Sequence, residues 1–478
     1  MKRSLLLMLS FLIADQVLFA QAVTNTRLGT DAMPGTTAGS YNTAIGYRAL
    51  NFNYSLQRNL RNTAVGANAL ENNREAADNT AIGNSALATN MFGYNNTGVG
   101  GGALELNHNG YSNTAVGYHA MYAAYGNFNT AIGYESLLNS SGAEFNIAVG
   151  TGTLRSNTTG NQNIAVGTDA MRNSSTGGGN VALGDHALYD NSTGSGNVAL
   201  GGFTLYNNRA GIGNSAMGTS ALQTNTANYN TASGFESMRS NTLGSSNTGL
   251  GIQSLYRNTT GNNNLAAGAF ALYNNTTGSY NTAFGYGALN NNLTGEGNIV
   301  SGAGGLASNT SGSYNMVFGA NALGSNVSGS NNIAIGVNAA YATRSVNSTF
   351  IGANTYGAVD ISNATAIGNE AAVLASNQVR IGNAAVTSIG GQVEWTTLSD
   401  GRFKANVSED VPGLAFINTL RPVTYTLDVK ALDVKMKGKN YKSEITTGSD
   451  KFKVTTVIKE SPEERSAKEA RAKVKYTG

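Results

Sequence analysis

Apolar and polar positions recur along this chain at a period far longer than a helical turn or a strand pleat. The unit is a short phrase, Asn-Thr-Ala-Ile-Gly, found at residues 42–46 with near copies at 62–66 and 79–83. Closing glycines continue through Gly100, Gly117 and Gly133 to Gly382. From Gly66 to Gly336 they stand 17 residues apart with an occasional 16, and closer after that. Each column of the unit has its own character. Asn stands four residues before the glycine in 18 successive units, from Asn42 to Asn332. Two before it is a small residue (Ala44, Ala64, Ala81) and one before it a branched aliphatic (Ile45, Val65, Ile82). Three after it is small again (Ala49, Ala69, Ala86), and four after it is large and apolar (Leu50, Leu70, Leu87, Met121). A fixed period of this length is the mark of a solenoid.

Seventeen residues are too few for a helix, a strand and two loops, but they suffice for two strands of about five residues each. The period therefore predicts two short strands per coil, joined by turns such as Asn274-Asn275-Thr276-Thr277-Gly278-Ser279, in which Gly supplies positive φ and Asn tolerates it. Coils stacked as parallel strands lie about 4.8 Å apart, so some twenty of them make a rod of roughly 100 Å. The recurring Asn is placed to form a ladder from coil to coil. The alanines imply a thin coil whose stability is close to a sum over neighbours. A row of Leu and Tyr (Leu188-Tyr189, Leu205-Tyr206, Leu255-Tyr256, Leu272-Tyr273) is the candidate face where chains meet.

The in-register Asn-x-Ala-Ile-Gly repeat, over roughly residues 28–382, resembles the head of trimeric autotransporter adhesins. That resemblance implies a left-handed parallel β-roll assembled as a homotrimer, with a host-surface glycan or protein as ligand. The expected fold is thus all-β, a parallel β-solenoid of ~17-residue coils over residues 23–382, followed by a small α+β C-terminal domain.

Composition agrees with a wall of Asn, Thr, Ser and Gly. Charged residues are 12% of the chain, Pro occurs four times and Cys never, which removes disulfides and thiolate metal sites. Residues 1–22 read as an export signal: Lys2 and Arg3, an apolar run over 5–13, then Ala20-Gln21-Ala22 for cleavage. The expected location is extracellular or on the cell surface. No later stretch of 18 apolar residues predicts a transmembrane span.

The C-terminal region differs. Residues 399–478 hold 16 Lys or Arg and 11 Asp or Glu, against 14 and 16 in all that precedes, so a neck or linker is expected at 383–398. The mixed charges carry no one-sided basic stripe, and no nucleic-acid partner is expected. Ser461-Pro462-Glu463-Glu464 is a helix start, with Ser as N-cap and Glu three residues on. Leu398-Ser399-Asp400-Gly401-Arg402-Phe403-Lys404, with Arg421-Pro422-Val423-Thr424-Tyr425, resembles the intramolecular chaperone of phage endosialidases, tail spikes and tail fibres, a self-cleaving serine peptidase family. That resemblance implies a domain that trimerises, assists the fibre ahead of it and cuts between Leu398 and Ser399. Ser399 would be the nucleophile, Lys404 the general base, and Asp400 and Arg402 positioning groups. A serine needs such a base, and a lysine can serve once burial disfavours its charge. The family pattern continues where this sequence ends at Gly478, so the domain is expected to be partial.

Other chemistry is thin. Glu135 and Asp169 share the column two after the glycine, two coils apart, hence roughly 10 Å. His119 and His186 share it four coils apart, about 19 Å, too far for a common metal. Gly177-Gly178-Gly179 lacks the Lys-Ser or helix signal of a phosphate cradle. No cofactor or metal is expected, and the only enzymatic activity expected is self-cleavage. Three functions stand open: an adhesin-like or tail-fibre rod, a polysaccharide-degrading spike, and an inert surface-layer or antifreeze-like rod. The last would show regular Thr columns on a flat face, whereas Thr here is read as clustering in turns.

Overall fold

The computed structural model describes residues 25–34, 41–52 and 60–392. The expected export signal at 1–22 and the expected chaperone domain at 399–478 lie outside them.

The repeat forms a parallel β-solenoid of about twenty turns, and no helix occurs among the described residues. Its spine is one 22-stranded sheet in which each coil contributes a three-residue strand just before its closing glycine. Thr43–Ile45 pairs with Thr63–Val65 and that with Thr80–Ile82, so Ala44, Ala64 and Ala81 stand in one file. The same register continues to Thr365–Ile367 and Val379–Ile381. A coil that the column count omits precedes the first phrase. Thr26–Leu28 pairs with Thr43–Ile45, and its signal was Asn25-Thr26-Arg27-Leu28-Gly29, with Arg in the alanine column.

The expectation of two five-residue strands per coil is corrected to one strand of three. The second side of the coil alternates into the left-handed region: φ is +58° at Asn68 and +48° at Leu70, +54° at His186 and +51° at Leu188. Such a backbone coils back on itself, with Ala187 N–H donating to Gly184 O at 3.3 Å, and cannot pleat. It still bonds between coils, as in Leu188 N–H to Thr204 O at 2.9 Å. A left-handed leucine costs about 1–2 kcal/mol, and burying its side chain returns about 1.5–3 kcal/mol. Second-side strands pair only where the coil shortens, Ser345–Val346 with Ile361–Ser362 and Tyr356–Gly357 with Ala372–Val373.

The core is a single thin file of Ala and Leu. Leu188, Leu205, Leu255 and Leu272 are fully buried inside their own coils. The leucines of the Leu–Tyr row are therefore no part of a chain-to-chain face, because the left-handed backbone turns them inward. Their tyrosine neighbours are half-buried and stack along the rod, Tyr189 on Tyr206 at 4.9 Å and Tyr256 on Tyr273 at 5.1 Å. Where the column four after the glycine shrinks to Ala340, the next coil carries the fully buried Phe350 in the alanine file. Charge enters the spine strands only at Arg27 and Arg380, in the first and last strands, which blunts both open edges of the sheet.

Two ladders of buried Asn hold the coils in register. Asn197 accepts from the Asn214 backbone N–H at 2.9 Å and from Asn214 Nδ2 at 3.2 Å. It donates to Asn180 Oδ1 at 3.1 Å and, across its own coil, to Gly211 O at 2.8 Å. The second ladder, seven residues after most closing glycines and interrupted at Ala124, Ser140 and Ser174, escaped the column reading. Asn275 Nδ2 donates to Asn258 Oδ1 at 2.8 Å and to Gly278 O at 2.9 Å. Its signal was the Asn that opens the turn in one coil after another (Asn258, Asn275, Asn292), concealed among other turn residues.

Closing glycines have a separate cause. Gly184 sits at φ +145°, and a Cβ there would lie 2.5 Å from the carbonyl oxygen of Gly201 in the next coil. Asn197→Ala strips partners from buried backbone groups on two coils and is expected to cost on the order of 2–5 kcal/mol. A chemical-denaturation midpoint equal to the parent's would show that the ladder is not structural.

Candidate functional site

The predicted cleavage site, Leu398 and Ser399, and the groups assigned to it, Asp400, Arg402 and Lys404, all lie outside the described residues. The remaining candidates sit on the second side of the coil, where the left-handed residue two after each glycine projects a side chain outward. Glu135 meets Arg155 Nε at 2.7 Å. Asp169 meets Arg172 Nη1 at 3.2 Å, and His186 Nε2 lies 3.8 Å from it. His186 Nδ1 is 3.0 Å from Asp185, and the imidazole stacks on Phe203 at 5.1 Å. His119 stacks on Tyr118 instead, at 3.9 Å. The two histidines thus stay in separate clusters, as do the two carboxylates.

The electrostatics oppose acid catalysis at Glu135. Burial pushes its carboxyl up, but hydrogen bonds from Arg155 and Tyr134 and the charges of Arg155 and His119 hold it below its ordinary value. Its hydrogen bond in turn raises the Tyr134 hydroxyl. A glycosidic general acid needs the reverse, a carboxyl that keeps its proton near neutrality. Among the described residues no three His, Cys, Asp or Glu side chains converge as metal ligands.

The larger feature is the outer face of the 22-stranded sheet. Each strand turns its middle residue inward and its two flanking residues out, so two files run the length of the spine. One file reads Thr26, Thr43, Thr63, Thr80, Thr97, Thr114 and Thr130, then turns mainly aliphatic through Ile147, Ile164, Val181 and Val198. The other is almost wholly apolar, including Ile82, Ile132, Leu183, Met217, Phe284, Phe318 and Ile335, each about 40–50% exposed. Neither file contains a charged residue.

The reading that Thr clusters only in turns is corrected by this face: seven consecutive coils place a Thr on the flat sheet. The turn threonines are engaged otherwise, Thr242 Oγ1 donating to Thr259 O at 3.0 Å and Thr259 Oγ1 to Thr276 O at 2.9 Å. The strand period was legible in sequence, but which of its three residues point outward was left unassigned there. No helix of the described residues is long and apolar enough to cross a membrane.

Set against known proteins, the sequence matches no family model, and no curated protein matches it.

Because the folded Glu135 carboxyl is depressed, its contribution to stability is complete above the ordinary glutamate value of about 4.3 and is lost as pH falls through the folded value. Wild type is expected to exceed Glu135→Gln by at most ~1 kcal/mol at neutral pH. That margin should shrink to nothing in acid, as read from paired denaturation curves across pH. A pH-independent margin would remove the ion pair as its cause.

Proposed function

We propose that the protein is an exported homotrimeric fibre of the adhesin or tail-fibre kind. The solenoid acts as rod and display surface, and residues 399–478 act as an assembly domain that cuts itself free before Ser399. The observation that carries this reading is the outer sheet face. Exposed apolar surface continuous over so many coils is rare on a monomer and marks an interaction site. Its occupant is best supplied by further copies of this chain. Only a partner with the same coil spacing, about 4.8 Å, meets every rung, and an uncharged face puts no like charges together across a symmetric contact. The Ser399 and Lys404 pairing rests on the sequence motif, and it would couple release to assembly through burial of the lysine.

Sedimentation of the secreted protein should give three times the mass of its processed chain. Ile164→Asp or Ile299→Asp, each placing a charge in the apolar contact, should yield monomers, while Thr176→Asp on the turn side should leave the trimer intact. A compact wild-type monomer would overturn the proposal.

That same monomer would favour a second reading, for which the seven-rung Thr file speaks: a flat hydroxyl-and-methyl array that orders water. Inhibition of ice recrystallisation by the monomer would establish it. For the assembly domain, a fragment beginning at Ser399 should appear in wild type and be absent from Ser399→Ala. An uncut wild type would leave the fibre reading to stand on the sheet face alone.

A further inference from the structure

Of the four pairs of tyrosines that stack ring on ring between adjacent coils, Tyr118–Tyr134 is the loosest, at 5.7 Å and 13°, and the other three are close pairs. The ring centres of Tyr94 and Tyr111 are 4.8 Å apart with planes 6° from parallel. Tyr189 and Tyr206 are 4.9 Å apart and 2° from parallel, and Tyr256 and Tyr273 are 5.1 Å and 3°. These separations match one coil of parallel pairing, about 4.8 Å. Each ring is therefore nearly its neighbour shifted by one coil, and the carbons ortho to the two hydroxyls lie about one coil spacing apart. Apart from Tyr94, which is exposed, all rings of the three close pairs are half-buried, so solvent reaches their edges while the stack restrains their planes.

We propose that Tyr189–Tyr206 and Tyr256–Tyr273 are sites of oxidative dityrosine cross-linking, with Tyr94–Tyr111 as a third. The co-reactant is a one-electron oxidant such as a peroxidase consuming hydrogen peroxide. Each tyrosine gives up one electron and its phenolic proton to become a phenoxyl radical. The two radicals join through a new bond between ortho carbons, and the ring hydrogens displaced there move to the oxygens as the rings rearomatise. The balance is two tyrosines to one dityrosine, two protons and two electrons, and the electrons with two protons reduce one peroxide to two waters. The ladder supplies the step hardest to arrange in solution, the meeting of two short-lived radicals, because the fold already holds both rings together.

The chemistry suits the rest of the chain. The sequence has 22 Tyr and no Cys, so a covalent tie between coils cannot be a disulfide. Each cross-link would close a 17-residue loop between neighbours that are otherwise held by hydrogen bonds and a thin core. The inference does not depend on how many chains assemble, since both rings of each pair belong to one chain.

The test uses the full chain with light-driven oxidation by a ruthenium tris-bipyridyl complex, followed by peptide mass mapping. Mixed light- and heavy-nitrogen protein separates links within a chain from links between chains. Intrachain links 189–206 and 256–273 should exceed any involving Tyr229, Tyr280 or Tyr314 by more than about tenfold, because pre-positioned partners react as an intramolecular pair. Those three are among the most exposed tyrosines, at 61%, 65% and 64%, and stack on no other tyrosine among the described residues. Tyr206→Phe keeps the stacked ring, and it should abolish the first link and leave the second. Consumption of tyrosine that follows exposure, or links that form only between chains, would overturn the proposal.

Discussion

Translation by one coil is the constraint on which the rest of this structure depends. Parallel backbone pairing fixes the distance from each rung to the next, and every residue in a column meets its own equivalent above and below. A side chain is therefore selected for how well it stacks on a copy of itself. Asn passes this test because its amide carries both a donor and an acceptor, so one rung's oxygen receives what the next rung gives. In the buried ladder this closes almost every bond, as at Asn197 between Asn180 and Asn214. Aspartate could not serve, since it would stack like charges at the same spacing in a buried file.

The same constraint explains the glycines and the alanines together. The closing glycine of one coil lies so close to the next coil's carbonyl that a side chain has no room. The inward file must be small because the coil is thin, and larger members need local relief. Val300 has it: a Cβ at Gly305, where most coils have a small side chain, would lie 2.8 Å from its Cγ1. Left-handed leucines complete the coil by turning their side chains into that core, and burial offsets their backbone strain. Stability in such a stack is distributed, each coil resting on its neighbours, so no single hydrophobic centre exists whose loss would unfold the whole.

A coil this thin has more surface than core, and its three sides differ in kind. The turn side spends its hydroxyls on the next coil's carbonyls. The second side mixes ion pairs with stacked rings, and its carboxylates are neutralised by Arg155 and Arg172. The sheet side alone is continuous, flat and uncharged. Charge is confined on this spine to Arg27 and Arg380, so open-ended stacking is discouraged at the ends while lateral contact is not.

The period, the coil count to within one, the parallel stacking and the first Asn ladder were all legible in the sequence, because a residue that must stack on its own copy repeats visibly. The coil at Thr26–Leu28 was hidden by one arginine in a column of alanines. What the sequence left undecided was direction. The second side became left-handed turn in place of strand, the leucines went inward, and the threonines before the alanines went outward. Side-chain direction follows from φ, and Leu188 or Glu135 at φ near +50° is no ordinary choice for those residue types. Only the closed coil, with bonds above and below, makes that backbone the favourable one. The tertiary structure therefore decided which columns became surface, whereas the sequence by itself determined that there would be columns at all.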